Sequence, residues 1–219
     1  MSKTMETNNK SKTRWKQNPE GVKRDIIEAA MSEFARSGLS GAKIDDISAQ
    51  TNTSKRMIYY YFGDKEGLYA TALEAAYAKV RQGEEKLDLD EGSPQEALKR
   101  LVAFTFDHHR RNPDFIRMVM IENIHHADYL SQSKVIRDLN TGAISQLERL
   151  IARGVEAGEF RDGVDATELH WQISALSFFN VSNKPTFSAL FGKSIYSRDG
   201  QARLRDRAVA MVLGDVLRK

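Results

Sequence analysis

The sequence predicts an all-α fold, in which a small N-terminal domain of three helices is followed by a larger helical domain. Charged residues make up 29% of the 219-residue chain, proline occurs only 4 times, and 41% of the residues are hydrophobic. This balance favours a soluble, largely helical protein over a β-sandwich or a disordered chain. Apolar residues also recur at spacings of three and four, which is typical of helices with one buried face.

The first helix is predicted to begin at Asn18-Pro19 and to end at Gly38. Asparagine is a favoured N-cap residue, and proline is favoured at the first helical position. Glycine often ends a helix because it adopts the left-handed conformation without strain. The buried stripe of this helix recurs at every fourth residue: Val22, Ile26, Ala30 and Phe34.

A short second helix is predicted from about Ile44 to Gln50, with Asp45 and Asp46 favourably placed in its first turn. The segment 51–53 (TNT) then forms a tight corner, in which the asparagine tolerates a left-handed conformation. Ser54 can cap the helix that follows. Two helices joined by so short a turn form a helix-turn-helix.

The third helix contains three consecutive tyrosines, in the stretch "SKRMIYYYFGDK" from residue 54 to 65. Its composition is strand-like, but a cap precedes it, helices flank it and no partner strand lies nearby. At 100° per residue, Ile58 and Phe62 share the inward face and Tyr60 lies almost opposite them. Tyr59 and Tyr61 then lie to either side.

Arg56 lies near Tyr60 on the outward face of this predicted helix. An aromatic and cationic ridge of this kind suits the major groove of DNA, where flanking hydroxyl groups reach the phosphates. The alternative is a tyrosine-rich protein interface. Lys65 follows the predicted cap Asp64, so its charge lies beside free backbone N–H groups at a helix start, an arrangement that favours phosphate binding.

The excess positive charge lies entirely in the N-terminal third. Residues 1–65 contain 12 Lys and Arg against 8 Asp and Glu, whereas residues 66–219 contain 21 against 22. This asymmetry is typical of a protein that meets a polyanion at one end. Residues 1–17 have no apolar period and are predicted to be a flexible basic arm, which either contacts DNA or is only a solvated tail.

The stretch from Ile26 to Leu68, "IIEAAMSEFARSGLSGAKIDDISAQTNTSKRMIYYYFGDKEGL", resembles the DNA-binding domain of the TetR family of bacterial transcriptional regulators. The chain has Lys43 and Asn52 where that family usually has threonine and glycine. The resemblance implies phosphate contacts from Tyr59 and Lys65, and base or backbone contacts from others in the same region. The full predicted DNA-binding set is Lys43, Ser54, Lys55, Arg56, Tyr59, Tyr60, Tyr61 and Lys65.

We therefore expect residues 18–65 to bind DNA and residues 66–219 to form an effector-binding and dimerisation domain. Capping patterns and apolar periods predict a helix over 65–82 and further helices over 94–111, 113–125, 131–157, 165–182 and 199–218. The segment 183–200 is predicted to be a connection broken by proline and glycine.

The helix 165–182 is apolar on two faces, so it needs two partners to bury them. One partner is its own domain. The resemblance implies that the other is a second subunit, since TetR-family proteins pair their last two long helices in a four-helix bundle. The predicted interface is formed by Trp171, Phe178, Leu204, Ala208, Met211 and Val212.

The small-molecule effector implied by the resemblance cannot be named from the sequence. The residues suggested for its pocket are Phe104, His108, Met118, Glu122, His125 and Trp171. The Glu122-x-x-His125 spacing occurs in helical di-iron sites, but a second such motif is missing. The histidine pairs at 108–109 and 125–126 therefore have three interpretations: metal ligands, pocket lining or solvated residues.

The expected function is a ligand-responsive repressor of a palindromic DNA operator, active as a homodimer. The alternatives are a DNA-binding regulator without an effector and a helical metalloenzyme. No catalytic residue, metal or cofactor is predicted, because hydrolase, P-loop and dinucleotide motifs are missing. The chain has no cysteine and no apolar run near 18 residues, so we expect a cytoplasmic protein that is neither secreted nor membrane-spanning.

Overall fold

The computed structural model describes residues 18–218, and the predicted all-α class is confirmed over this range. The helices are α1 (Pro19–Gly41), α2 (Ile44–Gln50), α3 (Lys55–Phe62), α4 (Lys65–Glu85), α5 (Pro94–Arg111), α6 (Pro113–Ile124), α7 (Lys134–Glu156), α8 (Ala166–Ser182), α9 (Lys184–Phe191) and α10 (Arg198–Val216). Short 3₁₀ turns occur at Leu130–Gln132 and Ser194–Tyr196. No helix between residues 18 and 218 is both long and apolar enough to cross a membrane.

Side-chain caps fix most of the predicted helix starts. Asn18, Asp64, Ser93 and Asp165 each accept a hydrogen bond from a backbone N–H of the first turn, at 2.7 to 3.2 Å. These bonds satisfy donors that have no partner within the helix. The predicted cap of α3 differs, because the Ser54 side chain makes no capping hydrogen bond.

The main differences from the prediction are at the end of α1, at the start of α7 and over the segment 183–200. Gly38 does break the first helix, with a φ of 68°, but a further turn continues to Gly41. α7 begins at Lys134 rather than near 131, because the 3₁₀ turn precedes it and Ser133 caps it. The segment 183–200 was expected to be irregular, but it contains α9, whose Pro185 lies in the first turn, where proline is tolerated.

The first four helices share one hydrophobic core, which continues into the larger domain. Ile26, Phe34, Ile47 and Ile58 are fully buried in it, together with Met118 of α6. A second core joins α5, α7, α8 and α10. Because α4 packs on both α1 and the α6–α7 region, it links the two halves of the molecule.

A buried hydrogen-bond network reinforces this link. The Tyr69 hydroxyl donates to Oε1 of Glu122 at 2.8 Å, and the backbone N–H of Leu130 donates to Oε2 at 2.9 Å. Glu122 is only 2% exposed, so both carboxylate oxygens need these donors. The Ser133 hydroxyl also donates to Glu74 at 2.6 Å. α4 is therefore held by directional bonds as well as by apolar contacts.

Candidate functional site

The exposed ridge of α3 consists of Arg56, Tyr59 and Tyr60. Ile58 is fully buried against the core, while Tyr59 is 46% exposed and Tyr60 is 75% exposed. Arg56 is also exposed, one turn before Tyr60. Two large exposed aromatic side chains beside a cation are typical of a surface that binds another molecule. The ridge can therefore offer hydroxyl groups, ring faces and one guanidinium to a groove.

Tyr61 lies differently from its two neighbours. Its ring is partly buried against the N-terminal core, and the Lys23 ammonium of α1 lies 5.6 Å from the ring centroid. It also makes an edge-on contact with Tyr60, with centroids 5.3 Å apart. The ring thus braces α3 against α1 and supports the position of Tyr60.

The corner between α2 and α3 is closed by side chains. The Ser48 hydroxyl donates to the carbonyl of Thr53 at 2.7 Å, and the Thr51 hydroxyl donates to the carbonyl of Ser48 at 3.3 Å. Asn52 was expected to be left-handed, but its φ is not positive. The two hydroxyl bonds make that conformation unnecessary.

The predicted cations differ in how they are held. Lys55 forms an ion pair with Asp45 of α2, and the Lys65 ammonium donates to the Ala42 carbonyl at 3.3 Å. Lys65 is therefore positioned at the start of α2, beside the exposed N-cap residue Lys43. Over residues 18–218, neither Lys43 nor Arg56 forms an ion pair.

We predict that Asp45→Asn will strengthen DNA binding about two- to fivefold for all sequences. The substitution frees the Lys55 ammonium and removes a negative charge from the surface that carries the ridge. Stability should change little, because an exposed ion pair contributes about 0–1 kcal/mol. Asp138→Asn is a matched control, since Asp138 pairs with Lys134 on the exposed surface of α7. Fluorescence anisotropy across a salt series measures both variants, and equal affinities would contradict the prediction.

A cavity of about 540 Å³ lies in the larger domain, between α4, α5, α6, α7 and α8. Aromatic rings line much of its wall, from Tyr77, Phe115, Trp171 and Phe178. Polar groups interrupt the wall at Arg81, Glu84, His109, Asn140 and His170. A mostly apolar cavity with a few convergent polar groups is typical of small-molecule sites.

The cavity histidines are held neutral. Burial lowers the pKa of His109 to about 4, assisted by the charge of neighbouring His108. Burial also lowers the pKa of His170, and the Arg81 guanidinium adds to that effect. Conversely, burial raises the pKa of Glu84, although Arg81 opposes it. The site disfavours charge on each of these groups because they are shielded from water.

The predicted pocket residues are scattered rather than brought together. Trp171 lines the main cavity, while His108 lines a smaller cavity of about 150 Å³ with Met31 and Lys79. Phe104 packs against Gly83 and His108. Met118 is fully buried in the N-terminal core, Glu122 bonds Tyr69, and His125 is exposed after α6.

Sequence reasoning missed the polar cavity residues Arg81 and His170, whereas it had named the pair 108–109 as possible pocket lining and His109 does line the cavity. One signal was available, because Arg81 directly follows the apolar stripe residues Tyr77 and Val80 of α4. Across the described part of the chain, histidine, aspartate and glutamate side chains form no group of three or more that could hold a metal ion. The Glu122-x-x-His125 pair is thus separated into a buried and an exposed side chain.

Two family patterns match the sequence. The pattern described as "Bacterial regulatory proteins, tetR family" matches residues 26–72, which include α2, α3 and the ridge. The pattern described as "Tetracyclin repressor-like, C-terminal domain" matches residues 94–212, more than half of the chain. The chain belongs to the TetR family. It is therefore a DNA-binding transcriptional regulator.

Individual TetR-family proteins are similar over most of the chain. The HTH-type transcriptional repressor NicS of Pseudomonas putida is 36% identical over 178 residues, which are 81% of this chain and 84% of NicS. The crystal structure of the regulator SCO4942 of Streptomyces coelicolor has a TM-score of 0.67 at 23% identity, covering 90% of this chain and 99% of that one. The regulator FadR of Bacillus subtilis, solved in complex with stearoyl-CoA, has a TM-score of 0.63 at 18% identity, covering 87% and 97%.

Proposed function

We propose that this TetR-family regulator represses transcription by binding a palindromic operator as a homodimer, and that a small organic molecule releases it. The observation that carries the proposal is the α3 ridge, in which Tyr59, Tyr60 and Arg56 are exposed on a helix anchored by buried Ile58. An α-helix fits the major groove, where such side chains contact base edges and phosphates. The NicS relative, which is named a repressor, supports the proposed sign of regulation.

We assign DNA binding to residues 18–65 and effector binding and dimerisation to residues 66–219. The first assignment follows from the ridge, and the second from the cavity and the exposed surface of α8 and α10. The predicted contribution of the basic arm, residues 1–17, lies outside the described residues and stays a prediction. Because the proposed target is a bacterial chromosome, we place the protein in the cytoplasm.

The dimer proposal rests on apolar surface that a single protomer leaves exposed. Trp171 of α8 is 70% exposed and Met211 of α10 is 61% exposed, and Phe179 is also exposed. An open apolar groove of about 550 Å³ lies beside Phe179 and Met211, and its wall also includes Leu176 and residues of α5 and α9. A second copy related by a two-fold axis would bury both helices at once.

We propose a narrower set of interface residues than the sequence suggested. Ala208 and Val212 are buried in the protomer's own core, so they are not exposed for contact with a partner. Phe178 packs within the protomer beside Val80 and Phe115. We therefore centre the proposed interface on Trp171, Phe179 and Met211, with Leu204 at the groove.

The cavity favours an effector-responsive regulator over one with no small ligand. Its volume of about 540 Å³ is within the range of ligand sites, and its wall includes Tyr77 and Arg81 of α4. α4 begins at Lys65, directly after the recognition helix α3. A ligand that prefers another position of α4 would therefore change the placement of α3 on DNA. The stearoyl-CoA complex of FadR is an example of a ligand bound by a protein of this fold.

We predict that Lys65→Ala will weaken binding to all DNA sequences by about tenfold and reduce the salt slope by about one phosphate. Lys65 is a positioned point charge beside the start of α2, so it contributes affinity without sequence preference. Arg56→Ala should instead alter sequence preference, because Arg56 lies on the ridge. Anisotropy titrations with DNA from upstream of the protein's own coding sequence measure both effects.

Lys134→Ala is the control for this experiment, since Lys134 is an exposed lysine on α7. It should leave affinity and salt slope unchanged. If Lys65→Ala behaved like Lys134→Ala, Lys65 would not bind phosphate. If the unmodified protein failed to shift any DNA from its own locus, the proposed repressor function would need revision.

A further inference from the structure

Arg81 is an incompletely paired cation in the wall of the main cavity. It is only 9% exposed, forms an ion pair with Glu84, and donates from Nη2 to Oδ1 of Asn140 at 2.8 Å. Its Nε–H is buried and has no partner within residues 18–218. A buried guanidinium donor without an acceptor is costly, so the side chain retains capacity for another acceptor.

Glu84 is the acidic side chain that lines the cavity with Arg81. Burial raises the pKa of Glu84, while the Arg81 guanidinium lowers it. His109 and His170 contribute no positive charge, because burial lowers the pKa of each. The Nε–H of Arg81, which has no partner in the described chain, therefore favours a ligand that brings an oxygen acceptor, and a carboxylate is the strongest such acceptor.

Much of the cavity wall suits an apolar body. The rings of Tyr77, Phe115, Trp171 and Phe178 line it, and most of their surface is apolar. Trp171 is largely exposed in a single protomer, so it forms the edge of this wall.

We infer that the cavity binds an amphipathic organic anion with an aromatic body and one carboxylate. The carboxylate replaces Oδ1 of Asn140 as the acceptor for Nη2 of Arg81. This inference rests on the proposed effector response and deepens it. Arg81 is the group that a carboxylate would recognise by paired N–H···O bonds. The aromatic rings of the wall would cover the aromatic body.

The same contact supplies a route to DNA release. Arg81 belongs to α4 and Asn140 to α7, so their hydrogen bond ties the middle of α4 to the larger domain. A carboxylate that accepts from Nη2 competes with Asn140 for that donor. α4 then loses one of its hydrogen bonds to the larger domain. Less free energy is needed to shift its N-terminal end, at Lys65, relative to α3. An anion that binds more tightly when the Arg81–Asn140 hydrogen bond is broken therefore weakens operator binding by linkage.

Matched probes test the inference by isothermal titration calorimetry on the full chain. We expect 2-naphthoate to bind about tenfold or more tightly than the neutral 2-naphthamide, because only the former has a charge-assisted bond to Arg81. In Arg81→Gln the two probes should bind equally. Ser174→Asp, which adds a carboxylate to another wall residue, should weaken naphthoate and leave naphthamide nearly unchanged. It serves as the second variant if Arg81→Gln fails to fold by circular dichroism.

The inference is wrong if naphthamide binds as tightly as naphthoate, if the preference persists in Arg81→Gln, or if neither probe binds at 1 mM. Gel shifts run in parallel separate this failure from failure of the proposed function. Intact operator binding with no probe preference overturns only the anion site, whereas loss of operator binding by the unmodified protein overturns the repressor proposal. Asn140→Ala should itself lower operator affinity several-fold without any probe, because it removes the same bond.

Discussion

Met211→Asp is expected to separate the protomers and to abolish detectable operator binding. Met211 is 61% exposed on α10, and it lines the apolar groove beside Leu176 and Phe179 of α8. A carboxylate in the middle of an apolar two-fold contact is desolvated in both copies, without a partner for either charge. The dimer should therefore be lost before the protomer unfolds.

The loss of binding follows from the geometry of the operator. A single α3 ridge offers only a few contacts, from Arg56, Tyr59 and Tyr60. Two ridges held about 34 Å apart, or a multiple of that distance, contact two half-sites as one unit. Breaking the dimer makes the second half-site a separate binding event, which costs on the order of 100-fold or more in affinity.

Size-exclusion chromatography with light scattering measures the assembly, and gel shifts measure the binding. Val135→Asp is the control, because Val135 is a half-exposed apolar residue of α7, away from the α8 and α10 surface. It should remain dimeric and bind DNA. A soluble Met211→Asp protein that stayed dimeric would place the interface elsewhere.

Local patterns in the sequence were sufficient for most of the helices. Capping residues such as Asn18, Ser93 and Asp165 act within their own first turn, so the sequence predicts their role directly. α9 was missed because Pro185 and Gly192 were interpreted as breaks in the chain. In the structure they lie in the first turn and just after the last, where each residue type is tolerated.

Contacts between distant segments could not be predicted in the same way. The apolar period of α10 identifies Ala208 and Val212 as buried, but it does not say whether the protomer or a partner covers them. Likewise, the outward ridge of α3 follows from helical geometry, whereas the Lys65–Ala42 and Arg81–Asn140 bonds depend on how remote helices pack. Arg81 and Asn140 are 59 residues apart in the chain, and no local pattern connects them.

The protein should lose stability in mild acid through His109. Burial lowers the pKa of His109 to about 4, against an ordinary value of 6.5, and the charge of His108 adds to that effect. Since the unfolded chain binds the proton more tightly, stability is highest above pH 6.5 and falls as the pH decreases from 6.5 towards 4. The expected contribution of His109 is about 2 kcal/mol between pH 7 and pH 4.5.

A difference measurement isolates this contribution from the groups around it. Arg81 of α4, His108 of α5 and His170 of α8 also lower the pKa of His109. Glu84 changes the acid dependence of stability in the opposite direction, because its raised pKa favours protonation of the folded state. These side chains are unchanged in His109→Phe. The substitution is compatible with the packing, since the ring of His109 meets Phe115 edge-on at 5.8 Å.

Urea unfolding at a fixed protein concentration gives the free energy of unfolding for wild type and His109→Phe at each pH. Between pH 7 and pH 4.5 the wild type should lose about 2 kcal/mol more than the variant, because only the wild type must expose or charge that imidazole. His125→Phe is the matched control, since His125 is exposed after α6, and its acid profile should follow the wild type. Parallel profiles for wild type and His109→Phe would show that the imidazole of His109 is hydrated in the folded protein.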